Sequence, residues 1–172
     1  MRGLYIGRFQ PFHMGHLHAV KHALSEVNEV IIVVGSAQRS HSLDNPFTAG
    51  ERMVMVREAL NEGGISPLKY WIIPIRDLNV HMMWVSEVKG YTPGFERVYS
   101  NEPLTRRLFL EAGYRVESIP FKNRSRYSAT EIRRRMVNGE HWKNLVPKIV
   151  AEFIEQVGGV DRLVDLTKTD DG

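Results

Sequence analysis

The segment Glu29-Val30-Ile31-Ile32-Val33-Val34-Gly35 constrains this chain more than any other stretch. Five β-branched residues in succession leave no polar face. A strand built from them must be covered on both sides, as strands are in a parallel sheet flanked by helices. The run is far too short to span a bilayer, and the chain starts toward another short apolar run, Leu4-Tyr5-Ile6, rather than a signal peptide. A cytoplasmic protein without a membrane partner is expected.

Helical segments follow the strands at regular intervals. Leu17, Val20 and Leu24 repeat at helical spacing after the first apolar run. Thr48-Ala49-Gly50-Glu51 has the form of a capping box, continued by Met53, Val56 and Leu60 and closed by Gly63-Gly64. Tyr70 to Ile75 reads as a third strand whose Pro74 belongs at a sheet edge or strand end. In the next helical segment, Trp84, Val85 and Val88 share a face, and Trp84 reads either as core or as a stacking platform. Arg97 to Ser100 is a fourth strand, Asn101 an N-cap, and Leu104, Leu108 and Ala112 the inner face of a helix stopped by Gly113. Tyr114 to Ile119 is a fifth strand.

Five alternations of strand and helix predict an α/β fold, a single-domain Rossmann-like doubly wound parallel sheet of about five strands with C-terminal helices. Residues 1–166 form the domain and 167–172 a frayed polar tail. Ligands of such a sheet bind beyond the carboxyl ends of the strands. The loops there are Gly7 to His16, Ser36 to Asn45, Arg76 to Asp77 and Ser100 to Asn101. A hydrophobic content of 42% with 25% charged residues excludes a disordered chain. The net charge of +3 suits an anionic ligand but does not call for nucleic acid. Without cysteine, thiolate and disulfide chemistry are excluded.

Gly7-Arg8-Phe9-Gln10-Pro11-Phe12-His13-Met14-Gly15-His16 turns the first strand into the first helix. A helix N-terminus attracts anions through its unpaired N–H groups, and this one adds two imidazoles and a guanidinium, so His13 and His16 are placed to face one polyphosphate. Gly15 is read as the point where ligand oxygens approach the backbone. The alternatives are a zinc site, for which the loop has no acid and the chain no cysteine, and ordinary surface histidines. No side chain is assigned to a metal. The densest positive charge, Lys122, Arg124, Arg126, Arg133, Arg134 and Arg135, surrounds a second capping-box pattern, Ser128-Ala129-Thr130-Glu131. Ser128, Thr130 and Arg133 read as a second anion site, and the alternative is a basic, solvated helix face, which accounts for Arg134 or Arg135.

With Gly7-Arg8-Phe9-x-Pro11-x-His13-x-Gly15-His16 near the start and Ser128-x-Thr130-x-x-Arg133 near the end, the chain resembles the nucleotidylyltransferase superfamily. Three longer strings make it similar to the archaeal-type nicotinamide-nucleotide adenylyltransferases over about residues 2–166: Gly35-Ser36-Ala37-Gln38, Asn45-Pro46-Phe47-Thr48-Ala49-Gly50-Glu51-Arg52 and Ser128-Ala129-Thr130-Glu131-Ile132-Arg133-Arg134-Arg135-Met136. The resemblance implies transfer of AMP from ATP to nicotinamide mononucleotide (NMN), giving NAD and pyrophosphate, with Mg2+ as the divalent cation. It places His16 at the α-phosphate, His13 at the distal phosphates, and Arg133 with Ser128 and Thr130 on the departing pyrophosphate. Arg8 orients phosphate between the substrates, Trp84 faces the nicotinamide ring, and Asp77 lies by the same pocket. Gly7, Phe9, Gly15, Ser36 and Gln38 complete the implied nucleotide-binding set, and a homo-oligomer, plausibly a hexamer, is implied as well. The chain departs from the family's pattern at Ala129, where many members carry a second serine, and at Ser100-Asn101-Glu102. It departs again at Asp44 and His81, where a basic residue and an amide are expected. Glu102 is left out of the site. Other acceptors, nicotinate mononucleotide or phosphopantetheine, and a non-catalytic adenine-nucleotide or RNA-binding module are the remaining alternatives.

Overall fold

The computed structural model describes residues 1–121 and 126–168. Lys122 and Arg124 of the basic segment, and residues 169–172 of the tail, lie outside the described residues.

Strands β1 (Arg2–Gly7), β2 (Glu29–Val34), β3 (Tyr70–Pro74), β4 (Arg97–Tyr99) and β5 (Arg115–Glu117) form one sheet in the order β3-β2-β1-β4-β5. Every pairing is parallel. The order reverses direction between β1 and β4, which opens a crevice beyond their carboxyl ends. Pro74 ends the edge strand β3, where its missing N–H disrupts no ladder. The intervening helices are α1 (Met14–Leu24), α2 (Ala49–Glu62), α3 (Trp84–Tyr91) and α4 (Pro103–Glu111). Helices α5 (Ala129–Val137), α6 (Lys148–Gln156) and α7 (Gly159–Thr167) complete the chain.

The apolar run of β2 is covered on both faces, as its composition requires. Val30, Ile32 and Val34 belong to a cluster shared with Val20 of α1, Val56 of α2, Ile132 of α5, Ile154 of α6 and Leu163 of α7. Ile31 and Val33 face the opposite cluster, with Val85 and Val88 of α3 and Phe109 of α4. Burying both rows removes every side chain of the run from water, at roughly 1.5–3 kcal/mol for each residue before the cost of ordering the chain.

Three local expectations are corrected. Asn101 does not cap α4. Glu102 does, accepting from the Leu104 and Thr105 N–H groups, while the Asn101 amide pairs with both backbone groups of Ile119 as a strand would. The inner face of α4 is Phe109 with the half-buried Leu108, whereas Leu104 and Ala112 are exposed. In α2 the buried stripe is Arg52, Met55, Val56, Ala59 and Leu60, with Met53 only half-buried. An arginine on an apolar stripe is the anomaly of that helix.

Candidate active site

His13 is the N-cap of α1, and its Nδ1 accepts the Gly15 N–H at 3.1 Å. His16 reaches back so that its Nδ1 accepts the His13 N–H, also at 3.1 Å. The two rings stack with centroids 3.6 Å apart, and Phe9 and Phe12 pack against His16 at 4.9 and 5.3 Å. Because each Nδ1 is an acceptor, each neutral ring carries its proton on Nε2, as a donor. Burial lowers His13 to about 4, and burial followed by the neighbouring His13 holds His16 well below the usual histidine range. Both rings are therefore neutral donors at neutral pH. The space above Gly15 belongs to His13: a Cβ there would lie 2.9 Å from His13 Cε1. Glycine at this position admits the stacked imidazole, a tighter reason than the ligand approach expected from the sequence.

Ser128 caps α5 by accepting the Glu131 N–H. The box is one-sided, since the Glu131 carboxylate turns to Arg134 and Arg135 instead of the Ser128 N–H. Those ion pairs, with Glu140 on Arg134, absorb the two arginines as a surface network. Arg133 goes elsewhere. It is 7% exposed, donates from Nη1 to the Gln10 carbonyl at 2.8 Å and approaches Thr130 Oγ1 at 3.5 Å. This contact joins residues 123 positions apart and brings the two sequence motifs together. Burial and then Arg8 lower its guanidinium, leaving it charged. Asp44 Oδ1 stands 3.8 Å from Arg133 Nη2 on an exposed loop, where an anionic ligand would compete with it.

The other predicted residues gather in a cleft of about 700 Å³ at the switch point. Gly7, Arg8, Ser36, Asp77 and Trp84 line it, together with His81 and Glu102. Asp77 accepts from Ser36 Oγ at 3.0 Å, Gln38 Nε2 at 3.1 Å and Arg39 Nε at 3.2 Å, and its N–H donates to Gln38 Oε1. It thereby folds the loop after β2 onto the loop after β3. Arg8 is exposed and reaches Asn45 Oδ1 at 3.5 Å, between the cleft and the histidine pair. Trp84 is half-buried, lining the cleft and packing on the α3–α4 cluster. Phe9 is wholly buried beside His16 and supports the ring from behind.

Sequence reasoning missed two residues. Gln10 is buried and pairs both ends of its amide with the Phe47 backbone, at 3.0 and 2.9 Å, fixing the first loop against the start of α2. Arg52, wholly buried, donates only to backbone carbonyls. The signal for Arg52 was its place on the apolar stripe; Gln10 had none. Among the described residues no group of three metal-ligating acids or histidines occurs, so these side chains do not form a cation cage. Among them, too, no helix is long and apolar enough to cross a membrane.

The fold defines the class: a doubly wound α/β protein with its cleft at the topological switch point. A family model described as cytidylyltransferase-like matches residues 4–135. The nicotinamide-nucleotide adenylyltransferase of Picrophilus torridus is 49% identical over 99% of this chain and 100% of its own length. That of Pyrococcus furiosus is 50% identical over 94% of this chain and 87% of its own. The chain belongs to the cytidylyltransferase-like family, and within it to the nicotinamide-nucleotide adenylyltransferases. Among solved structures, a bifunctional NMN adenylyltransferase/ADP ribose pyrophosphatase from Francisella tularensis, complexed with AMP and a manganese ion, superimposes with a TM-score of 0.75 at 25% identity. The match covers 95% of this chain and 52% of that one, so the present chain spans about half of the bifunctional protein.

Proposed function

We propose that this protein transfers AMP from ATP to nicotinamide mononucleotide, forming NAD and pyrophosphate. The observation that carries the reading is the 2.8 Å contact of Arg133 with the Gln10 carbonyl, which ties a buried guanidinium to the loop leading into the stacked His13–His16 pair. ATP lies with its phosphates against α1 and α5, and the mononucleotide occupies the cleft lined by Ser36, Asp77 and Trp84. An oxygen of the mononucleotide phosphate attacks the α-phosphorus in line. The bond from that phosphorus to the bridging oxygen breaks, and its electron pair leaves with pyrophosphate.

No protein nucleophile is required, because the acceptor brings its own. The enzyme's part is positioning and charge neutralisation. His16 donates from Nε2 to the α-phosphate as charge shifts, and His13 does the same to the distal phosphates. Arg133, with Ser128 and Thr130, holds the leaving pyrophosphate, and Ala129 contributes only its backbone. Arg8 spans the two substrates, and Trp84 stacks on the nicotinamide ring. A divalent cation, Mg2+ in this reading, fits as one carried by the ATP phosphates, whose charge it offsets.

The test is pyrophosphate release with ATP and Mg2+, offering NMN, nicotinate mononucleotide and phosphopantetheine in turn. The highest turnover is expected with NMN. Preference for phosphopantetheine, or ATP binding without turnover, would overturn the reading. A homo-oligomer, hexameric by the resemblance, belongs to the same proposal and is checked by light scattering.

A further inference from the structure

Arg52 is the largest wholly buried side chain among the described residues and carries a charge that meets no carboxylate within bonding distance. A guanidinium has five N–H donors. Here each goes to a backbone carbonyl: Nε to Thr48 at 3.2 Å, Nη1 to Arg8 at 2.9 Å and Gly35 at 2.7 Å, and Nη2 to Ser36 at 3.1 Å and Arg39 at 3.3 Å. Three chain segments thus meet on one planar group: the loop after β1, the loop after β2 and the start of α2.

The gripped carbonyls are not arbitrary. Phe9 and Ser36 hold left-handed backbone conformations, with φ of 53° and 49°, which residues with a Cβ adopt only when the surroundings enforce them. The Arg8 carbonyl belongs to the peptide entering Phe9, and the Gly35 and Ser36 carbonyls belong to the two peptides flanking Ser36. A trans peptide points its N–H opposite its C=O. Turning the Arg8 and Gly35 carbonyls toward Arg52 therefore turns the Phe9 and Ser36 N–H groups away from it, and Arg8, Gly35 and Ser36 all line the cleft. The carbonyl dipoles that would repel a phosphate are drawn beneath the cleft floor, and the guanidinium's charge stays there with them.

We propose that Arg52 is a positioning residue for the acceptor side of the site: its five carbonyl contacts set the Arg8 and Ser36 backbones, and through them the seat of the mononucleotide phosphate. This rests on the functional reading above. The histidine caps and the Arg133 guanidinium are fixed by contacts that do not include Arg52, through Gly15, the His13 N–H and the Gln10 carbonyl, and Phe9, which backs His16, is the residue the two sides share. The ATP side and the acceptor side should consequently respond differently.

Arg52→Lys keeps the charge but offers three donors on a single atom, and Arg52→Gln removes the charge and most donors. Both are compared with the wild type for thermal unfolding, ATP affinity by calorimetry, and kcat and KM for NMN. Both variants are expected to fold, to bind ATP within about threefold of wild type, and to lose on the order of tenfold or more in kcat/KM for NMN, with Lys the milder. Parallel losses for ATP and NMN, or no loss for either, would overturn the proposal. So would global unfolding of both variants at the assay temperature with saturating ATP, because the side chain would then hold the fold and not the cleft. Wild-type turnover in the same assay tests the functional reading by itself, so failure of that reading is distinguishable from failure of this one.

Discussion

Helices α1 and α2 both start at the carboxyl edge of the sheet and both begin with a complete capping box, with opposite electrical results. At α2, Thr48 Oγ1 accepts the Glu51 N–H and the Glu51 carboxylate accepts the Thr48 N–H. That carboxylate also takes two bonds from Arg162, at 2.7 and 2.9 Å. The positive end of the helix is neutralised by an acid of its own, and the end is closed. At α1 two donors of the first turn, the His13 and Gly15 N–H groups, are satisfied by imidazole Nδ1 atoms, which bring no negative charge. Each Nε2 proton and the dipole remain for a ligand. The backbone need is similar at both ends; the caps differ in whether they bring a negative charge to the helix end.

Four outcomes test this contrast. The largest concerns His16→Ala, expected to lower kcat by about 10²–10³-fold with the fold intact, because a preorganised donor to the transition state is lost. Turnover near wild type would end the distinction between the two helix ends. Next is the acid limb of stability. His13 titrates at about 4 when folded against 6.5 as its ordinary value, so between these pH values the unfolded chain binds more protons. Its contribution is intact above pH 6.5 and declines as pH falls toward 4, by on the order of 3 kcal/mol in all. Urea unfolding across that window should show the slope, and His13→Gln should reduce it, leaving the part that the likewise lowered His16 contributes. Glu51→Ala, the matching lesion in the closed end, should cost about 2 kcal/mol of stability while leaving kcat within about twofold. A tenfold fall in kcat would show that α2 also serves the ligand. Smallest is Arg135→Ala, which removes part of a surface ion-pair network and should shift stability by less than about 0.5 kcal/mol with unchanged kinetics.

Much of the fold was legible because it rested on period and composition. The β-branched run of β2, the helical spacing of Leu17 and Val20, and Pro74 at an edge all concern residues whose environment follows from their own chemistry. Where a competing partner appeared, the reading slipped. Asn101 has the chemistry of an N-cap, yet its amide faces Ile119 and the cap passes to Glu102. Glu131 completes a capping-box pattern, but two arginines on its own helix outbid the Ser128 N–H. Met53 has the spacing of a core residue, but the buried face is taken by Arg52, Met55 and Val56.

For the site, the sequence by itself determined the residue types and which of them sit at the carboxyl edge: His13 and His16 in the first loop, Ser128, Thr130 and Arg133 in the last, Ser36 and Asp77 between. Motif chemistry is local, so the chain displays it directly. Only the tertiary structure decided which nitrogen of each histidine holds its proton, that Arg133 meets the Gln10 carbonyl across the molecule, and that Arg52 gathers five carbonyls from three segments. Those outcomes depend on backbone groups, which every residue carries alike. A carbonyl has no letter in the sequence, and where it points is settled only when the strands and helices have packed.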